Sequence, residues 1–122
     1  MAEYVFGIGD KSKDLLNRVL DATTNRKKYP VKFRPLIDRL QEIVLDIHCF
    51  ALDANSIKAD TQKRKDCRYD LQTQVVSCCD KFLSLTEYSL HAKLISASTC
   101  DAWSGLATDI KYMTLSWRSK DY

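Results

Sequence analysis

The sequence feature that most constrains the fold is one long stretch, Asp60 to Leu90, that contains neither glycine nor proline. Apolar and small residues recur in it at steps of four and three, which at about 100° per residue places them on one helix face. The members of this row are Cys67, Leu71, Val75, Cys78, Phe82, Leu85 and Ser89. A second row beside it holds Cys79, Leu83, Thr86 and Leu90. A face of this width packs against two neighbours, which predicts the central helix of a bundle.

Three further stretches show helical spacing and begin with residues that favour helix starts. Asp10 or Ser12 is suited to cap a first helix that ends near Asn25, and Pro35 is suited to the first turn of a second. Ser98 and Asp101 are spaced as a capping box for the last helix. The second seam consists of Leu36, Leu40, Ile43, Ile47, Phe50 and Ala54, and the last of Trp103, Leu106, Ile110, Met113 and Trp117.

These patterns predict an all-α fold in which helices at about 10–25, 35–55, 60–93 and 98–118 follow a short N-terminal arm. Four amphipathic helices with short connections fold most simply as an up-down-up-down antiparallel four-helix bundle. A chain of 122 residues suits a single domain, 1–122. It has no apolar run of the roughly 18 residues that a membrane span needs and no signal-like start, so we expect a cytoplasmic protein without a membrane partner.

Positive charge is concentrated in two clusters, although the formal net charge is only +3. The segment between the first two helices holds five basic residues and no acid, and the start of the third helix holds four more. In an up-down bundle these clusters lie at opposite ends, where they can contact a phosphate backbone. The candidate nucleic-acid-binding residues are Arg26, Lys27, Lys28, Lys32, Arg34, Arg39, Lys63, Arg64, Lys65 and Arg68.

Each cluster also has a simpler interpretation. Basic residues at helix ends are often plain solvated surface, or pair with acids of a neighbouring subunit. Tyr29 and Phe33, which lie among the basic residues, either stack on unpaired nucleotides or fasten the second helix to the first.

The second helix carries more apolar residues than one seam needs. Ile37, Leu45 and Leu52 lie outside both its seam and its charged side, which favours a contact between copies of the chain. The alternative is three scattered surface aliphatics, which are common in monomers.

The residue patterns of enzymes and metal proteins are missing from the sequence. Its two histidines, His48 and His91, have no nucleophile at a recognisable spacing, and a dyad of His48 with Cys67 has little to favour it. There is no glycine-rich phosphate loop and no Glu-x-x-His pair of a di-iron bundle. Five cysteines without a C-x-x-C pair are typical of free buried thiols. We therefore expect no catalysis, metal or cofactor.

Several segments together resemble the Avd family, the accessory variability determinants of diversity-generating retroelements. The resemblance extends over nearly all of the chain after about residue 12 and is a pattern of apolar and basic positions. The segments are Tyr29 to Arg34, Asp38 to Leu40, Leu52 to Asn55, Cys79 to Leu85, Leu94 to Ser96, Trp103, Asp109 to Met113, and Trp117.

The resemblance implies a non-catalytic four-helix bundle, related to proteins encoded in ribosomal-RNA intervening sequences. Such proteins assemble into a basic barrel, a homopentamer, and bind the reverse transcriptase of the same element and its template-repeat RNA, as RNA alone or as an RNA/DNA duplex. They support mutagenic, adenine-biased copying. Arg34 and Arg39 correspond to basic positions of the family pattern, and Arg64 and Arg68 to the basic start of the third helix. A net charge of +3 is milder than the family implies. The alternatives are an RNA- or ribosome-associated bundle of the intervening-sequence group and a helical protein-interaction module.

Overall fold

A computed structural model describes residues 2–58 and 60–121, with side chains described for 7–58 and 60–117. The four helices are α1 (Ala2–Thr23), α2 (Arg34–Ser56), α3 (Gln62–His91) and α4 (Ala97–Asp121). Between α1 and α2 lie two short 3-10 turns, Arg26–Lys28 and Val31–Phe33. The described residues contain no strand. No helix found among them is long and apolar enough to cross a membrane.

The helices form an antiparallel ring. α1 packs against α2 and α4, and α3 completes the ring by packing against the same two helices. Ser12 on α1 contacts His48 on α2, and Lys111 on α4 pairs with Asp80 on α3. The predicted up-down four-helix bundle is therefore confirmed. We call the end formed by residues 24–34 and 92–96 the connector end, and the end formed by residues 56–68 the hairpin end.

The apolar core extends through all four helices, but its position on α3 differs from the predicted rows. The innermost line of α3 also keeps steps of four and three, yet three of its buried members are polar. These buried residues are Gln72, Val75, Cys79, Phe82, Thr86 and Ser89. Cys67, predicted on the seam, is exposed instead. The side of α3 that faces the core includes the polar residues Gln72 and Thr86. It therefore lies a fraction of a turn away from the most apolar side of the helix.

Helix starts account for the other differences from the predicted boundaries. α1 already begins at Ala2, so residues 2–9, predicted as an N-terminal arm, are helical and Ser12 lies inside the helix rather than capping it. Thr61, not Asp60, caps α3 by accepting a hydrogen bond from the Arg64 N–H at 3.2 Å. Ser96 accepts from the Thr99 N–H at 3.1 Å, so α4 is capped two residues before the predicted Ser98. Pro35 lies in the first turn of α2, as predicted.

Candidate nucleic-acid interface

The connector between α1 and α2 is held in place by one aromatic residue. Tyr29 is only 4% exposed, and its hydroxyl donates to the Ala22 carbonyl, the last turn of α1, at 3.0 Å. Asn25 adds a local cap, since its Oδ1 accepts from the Lys27 N–H at 3.2 Å. Of the two functions proposed for Tyr29, stacking on a nucleotide is wrong because the ring is buried. It fastens the connector to the bundle instead.

The basic residues of the connector fall into two groups that differ in their contacts. Arg26 pairs with Asp38 at 2.9 Å, and Arg34 donates to the Tyr29 carbonyl at 3.3 Å, so both guanidinium groups have partners within the chain. The ammonium groups of Lys28 and Lys32 each lie 5.1 Å from the centroid of the aromatic ring that follows them in sequence.

No carboxylate among the described side chains pairs with Lys27, Lys28 or Lys32. These ammonium groups therefore keep their charge available for a ligand, whereas the two arginines mainly shape the connector.

A groove of about 330 Å³ separates the connector from the loop between α3 and α4. Lys28 lies on one side and Lys93 on the other, so two segments about sixty residues apart in sequence meet at one site. The remaining lining residues are Tyr29, Pro30, Phe33, Ala92 and Leu94. Lys93 was not among the predicted residues. An isolated lysine after a helix gives no charge run, and only the fold places it beside the connector.

The basic residues at the hairpin end are more engaged with the chain itself. Arg64 pairs with Asp60 through two contacts of 3.0 and 3.1 Å, both at the surface. Arg68 donates from Nε to the carbonyl of Ala54, in the last turn of α2, at 3.3 Å. Its guanidinium carbon also lies 4.3 Å from the centroid of the Trp117 ring. Arg68 thus joins α2, α3 and α4, which is a structural role.

Lys63 remains near the surface at this end, beside a wide, open cavity of about 790 Å³. The cavity lining comprises Ser56, Ile57, Lys58, Thr61, Lys63, Arg64 and Cys67. Arg39 belongs to neither end, because it lies on α2 and pairs with Glu42 at 3.2 Å. Nine of the ten predicted basic residues therefore fall into two separate groups, and the tenth, Arg39, pairs with Glu42 on α2.

Of the three residues predicted to form a contact between copies of the chain, two are exposed. Ile37 is fully buried against the chain's own core, so its assignment to an exposed face is wrong. Leu45 and Leu52 are 50% and 47% exposed and lie seven residues apart, on one side of α2. Cys49 is exposed between them. We call these three residues the α2 patch.

The contact that most resembles a catalytic pair is buried. Ser12 Oγ lies 2.8 Å from His48 Nδ1 and donates to the Gly9 carbonyl at 3.0 Å. The hydroxyl belongs to a residue that is 1% exposed, so a substrate cannot reach it. Burial, followed by the nearby charge of Lys13, lowers the pKa of His48 below its ordinary value. The pair acts as a hydrogen bond between α1 and α2.

The cysteines also fit their surroundings. All five are free, and Cys78, Cys79 and Cys100 are buried as predicted, whereas Cys49 and Cys67 are exposed. Burial, reinforced by the neighbouring Cys78, raises the pKa of Cys79 to about 12, so this thiol stays protonated. Among the described residues, no group of three histidine, cysteine or acidic side chains is arranged to hold a metal ion.

Comparisons with protein-family models, curated proteins and solved structures find no significant match to this chain. The family resemblance therefore rests on the residues quoted above, and the fold on the helices described here.

Proposed function

We propose that this chain is a non-catalytic accessory protein of a diversity-generating retroelement. In this proposal it binds the reverse transcriptase of the same element and its template-repeat RNA in the cytoplasm and supports mutagenic copying. The observation that carries the proposal is the set of connector-end lysines without carboxylate partners, on a four-helix bundle with the expected helix order. These lysines lie within the segment from Tyr29 to Arg34, where the family resemblance is densest, or next to it.

The proposal divides the surface into two functions. The connector end binds phosphate groups of the RNA, because its lysines have no carboxylate partners among the described side chains and two of them, Lys28 and Lys93, line one groove. The α2 patch joins copies of the chain, in a ring that the family resemblance gives as a pentamer, because half-exposed leucines on one helix side are suited to a symmetric assembly. The hairpin end, with Lys58 and Lys63 beside an open cavity, then remains for the polymerase.

The test is co-purification of the tagged chain with the reverse transcriptase encoded beside it, with and without nuclease. We expect the polymerase to stay bound after nuclease treatment and the template RNA to be recovered without it. The paired changes Lys63→Glu and Lys65→Glu, at an exposed and a half-buried position of α3, are expected to weaken polymerase binding while helicity by circular dichroism is unchanged. Retention of neither polymerase nor RNA by the wild-type chain would contradict the proposal.

The assembly is tested separately by light scattering. Leu45→Asp together with Leu52→Asp is expected to reduce the particle to a monomer, because both side chains are half-exposed in the protomer and their loss leaves its core intact. Tyr112→Asp is the matched control, since Tyr112 is an exposed apolar residue on α4. A wild-type chain that is already monomeric in light scattering would contradict the proposed assembly of copies through the α2 patch.

A second function is favoured by a different observation. Arg26, Arg39 and Arg64 each pair with a carboxylate of the same chain, which leaves fewer free cations than the sequence suggests. Together with the α2 patch, this fits a helical protein-interaction module that binds no nucleic acid. An RNA- or ribosome-associated bundle of the intervening-sequence group shares the fold. The encoding neighbourhood separates these cases: a reverse-transcriptase gene with paired repeats supports the retroelement, and a ribosomal-RNA insertion supports the other group.

A further inference from the structure

The loop between α3 and α4 contains an unusual backbone conformation. Lys93 has φ of 60°, and it is the one non-glycine residue in this left-handed region among the described residues. The Leu94 N–H donates to the Ser89 carbonyl at 2.9 Å and the Lys93 N–H to the Leu90 carbonyl at 3.0 Å. These two hydrogen bonds define a Schellman motif with Lys93 at the position that glycine usually occupies. A lysine here costs stability that glycine would not.

The strained lysine faces a groove that already has cations on its other side. Lys28 lines that side directly, and Lys32 lies next to it over the ring of Phe33, a lining residue. No carboxylate pairs with Lys28, Lys32 or Lys93 among the side chains that the structure describes. Two lysines, Lys28 and Lys93, line one groove without carboxylate partners among the described side chains, and their like charges favour an anion between them. Backbone strain that persists at such a site is a sign of function.

The size and lining of the groove indicate which kind of anion fits it. Its volume of about 330 Å³ is at the lower end of the range for ligand sites, close to the size of one nucleotide. Pro30, Phe33 and Leu94 supply apolar surface beside the lysines. Cations next to apolar and aromatic side chains are what proteins use to bind single strands. The bases of a duplex are paired and stacked on one another, so a single strand is better suited to place a base against this apolar surface.

We infer that this groove binds the backbone of a single-stranded nucleic acid, with a phosphate held between Lys28 on one side and Lys93 on the other, and with Lys32, over the ring of Phe33, as a further cation nearby. The inference rests on the proposed function, because it assigns the RNA contact to a defined site. It adds a residue, Lys93, that neither charge clustering nor family resemblance selected. It also assigns unpaired RNA, rather than the RNA/DNA duplex, to the connector end.

The test uses Lys93→Gly in the full chain. Glycine relieves the left-handed conformation, so the variant is expected to unfold at a higher urea concentration than the wild type. Its affinity for a fluorescein-labelled oligouridine of about 12 nucleotides, measured by anisotropy, is expected to fall about threefold to fivefold. The slope of log affinity against log salt should decrease by about 0.7, the value for one single-strand phosphate contact.

Matched variants separate charge from backbone effects. Lys93→Asn also tolerates the left-handed region and removes the charge, so it should reproduce the loss of affinity. Lys93→Arg should retain the affinity. Lys81→Gln removes one charge from the exposed middle of α3 and is expected to change neither affinity nor the salt slope.

Three outcomes overturn the inference and differ from a failure of the whole proposed function. Wild-type affinity and salt slope in both Lys93→Gly and Lys93→Asn would remove Lys93 from the site, even if the wild-type chain binds RNA and polymerase. Tighter binding of a duplex of the same length, with the same loss on Lys93→Gly, would refute the single-strand assignment. A wild-type chain that binds no oligonucleotide but retains the polymerase would refute the groove and leave only the polymerase contact.

Discussion

The connector end and the hairpin end carry similar numbers of basic residues but use them differently. At the connector end the aromatic Tyr29 is buried, and the lysines around it lack carboxylate partners. At the hairpin end a basic residue joins the helices, because Arg68 on α3 donates to the Ala54 carbonyl of α2 and lies over the Trp117 ring of α4. The comparison shows that a charge run in sequence does not distinguish cations that stabilise a bundle from cations that remain available to a partner.

The largest expected effect of a single substitution is at the connector end. Tyr29→Ala removes a buried ring and its hydrogen bond to Ala22, and is expected to lower the free energy of unfolding by about 3 kcal/mol. The substitution should also lower RNA affinity, because the connector that positions the lysines would no longer be fixed to α1. Tyr29→Phe keeps the ring and is expected to cost about 1 kcal/mol, with RNA affinity retained. Urea titration and anisotropy measure both quantities. An unchanged stability in Tyr29→Ala would show that the connector is not anchored through this residue.

Arg68→Ala is expected to have an intermediate effect, and on stability rather than binding. Loss of the carbonyl bond and of the contact with Trp117 should lower the free energy of unfolding by about 1 to 2 kcal/mol. RNA affinity should fall less than in the double variant of Lys28→Gln and Lys32→Gln, which removes two exposed charges. Arg64→Ala is the control, because its ion pair with Asp60 is exposed and contributes little. The comparison between the ends is wrong if Arg68→Ala keeps wild-type stability and loses RNA binding.

The smallest expected effect is a pH dependence of stability that originates at His48. Burial lowers the pKa of His48 from its ordinary value of 6.5, so the folded chain takes up its proton at a lower pH than the unfolded chain. This contribution to stability is therefore present above pH 6.5 and is lost as the pH falls below that value. Urea midpoints measured across this range should decrease toward acid in the wild type and less so in His48→Gln. His91→Gln, at an exposed site, should retain the wild-type decrease.

Sequence analysis predicted the fold because the spacing of apolar residues identifies a helix even when the residues assigned to its buried side are wrong by one position. The four-three rhythm identified four helices even where the chosen residues were one position away from the seam, as with Leu71 in place of the buried Gln72. The N-terminal part of α1 was missed because Gly7 and Gly9 disfavour a helix. A Cβ at Gly7 would lie 2.8 Å from the Met113 Cε, the flexible end of a side chain on α4. That contact with α4 exists only after folding.

The candidate site was only partly predictable. The lysines of the connector were identified from local charge density, which sequence shows directly. Sequence does not show which cations gain partners, because Asp38 is twelve residues from Arg26 and the Ala54 carbonyl is fourteen from Arg68. Lys93 was missed because its importance comes from a left-handed turn and from a loop that meets it only in the folded bundle.

The most direct test of the central claim is ultraviolet crosslinking of the template-repeat RNA to this chain in its complex with the reverse transcriptase, with the crosslinked peptides identified by mass spectrometry. We expect crosslinks in the segments 29–34 and 92–95, at the connector end, and a lower yield of both in Lys93→Gly. Crosslinks confined to the start of α3 at the hairpin end, or a complex in which the RNA contacts only the polymerase, would contradict the assignment of the connector end to RNA.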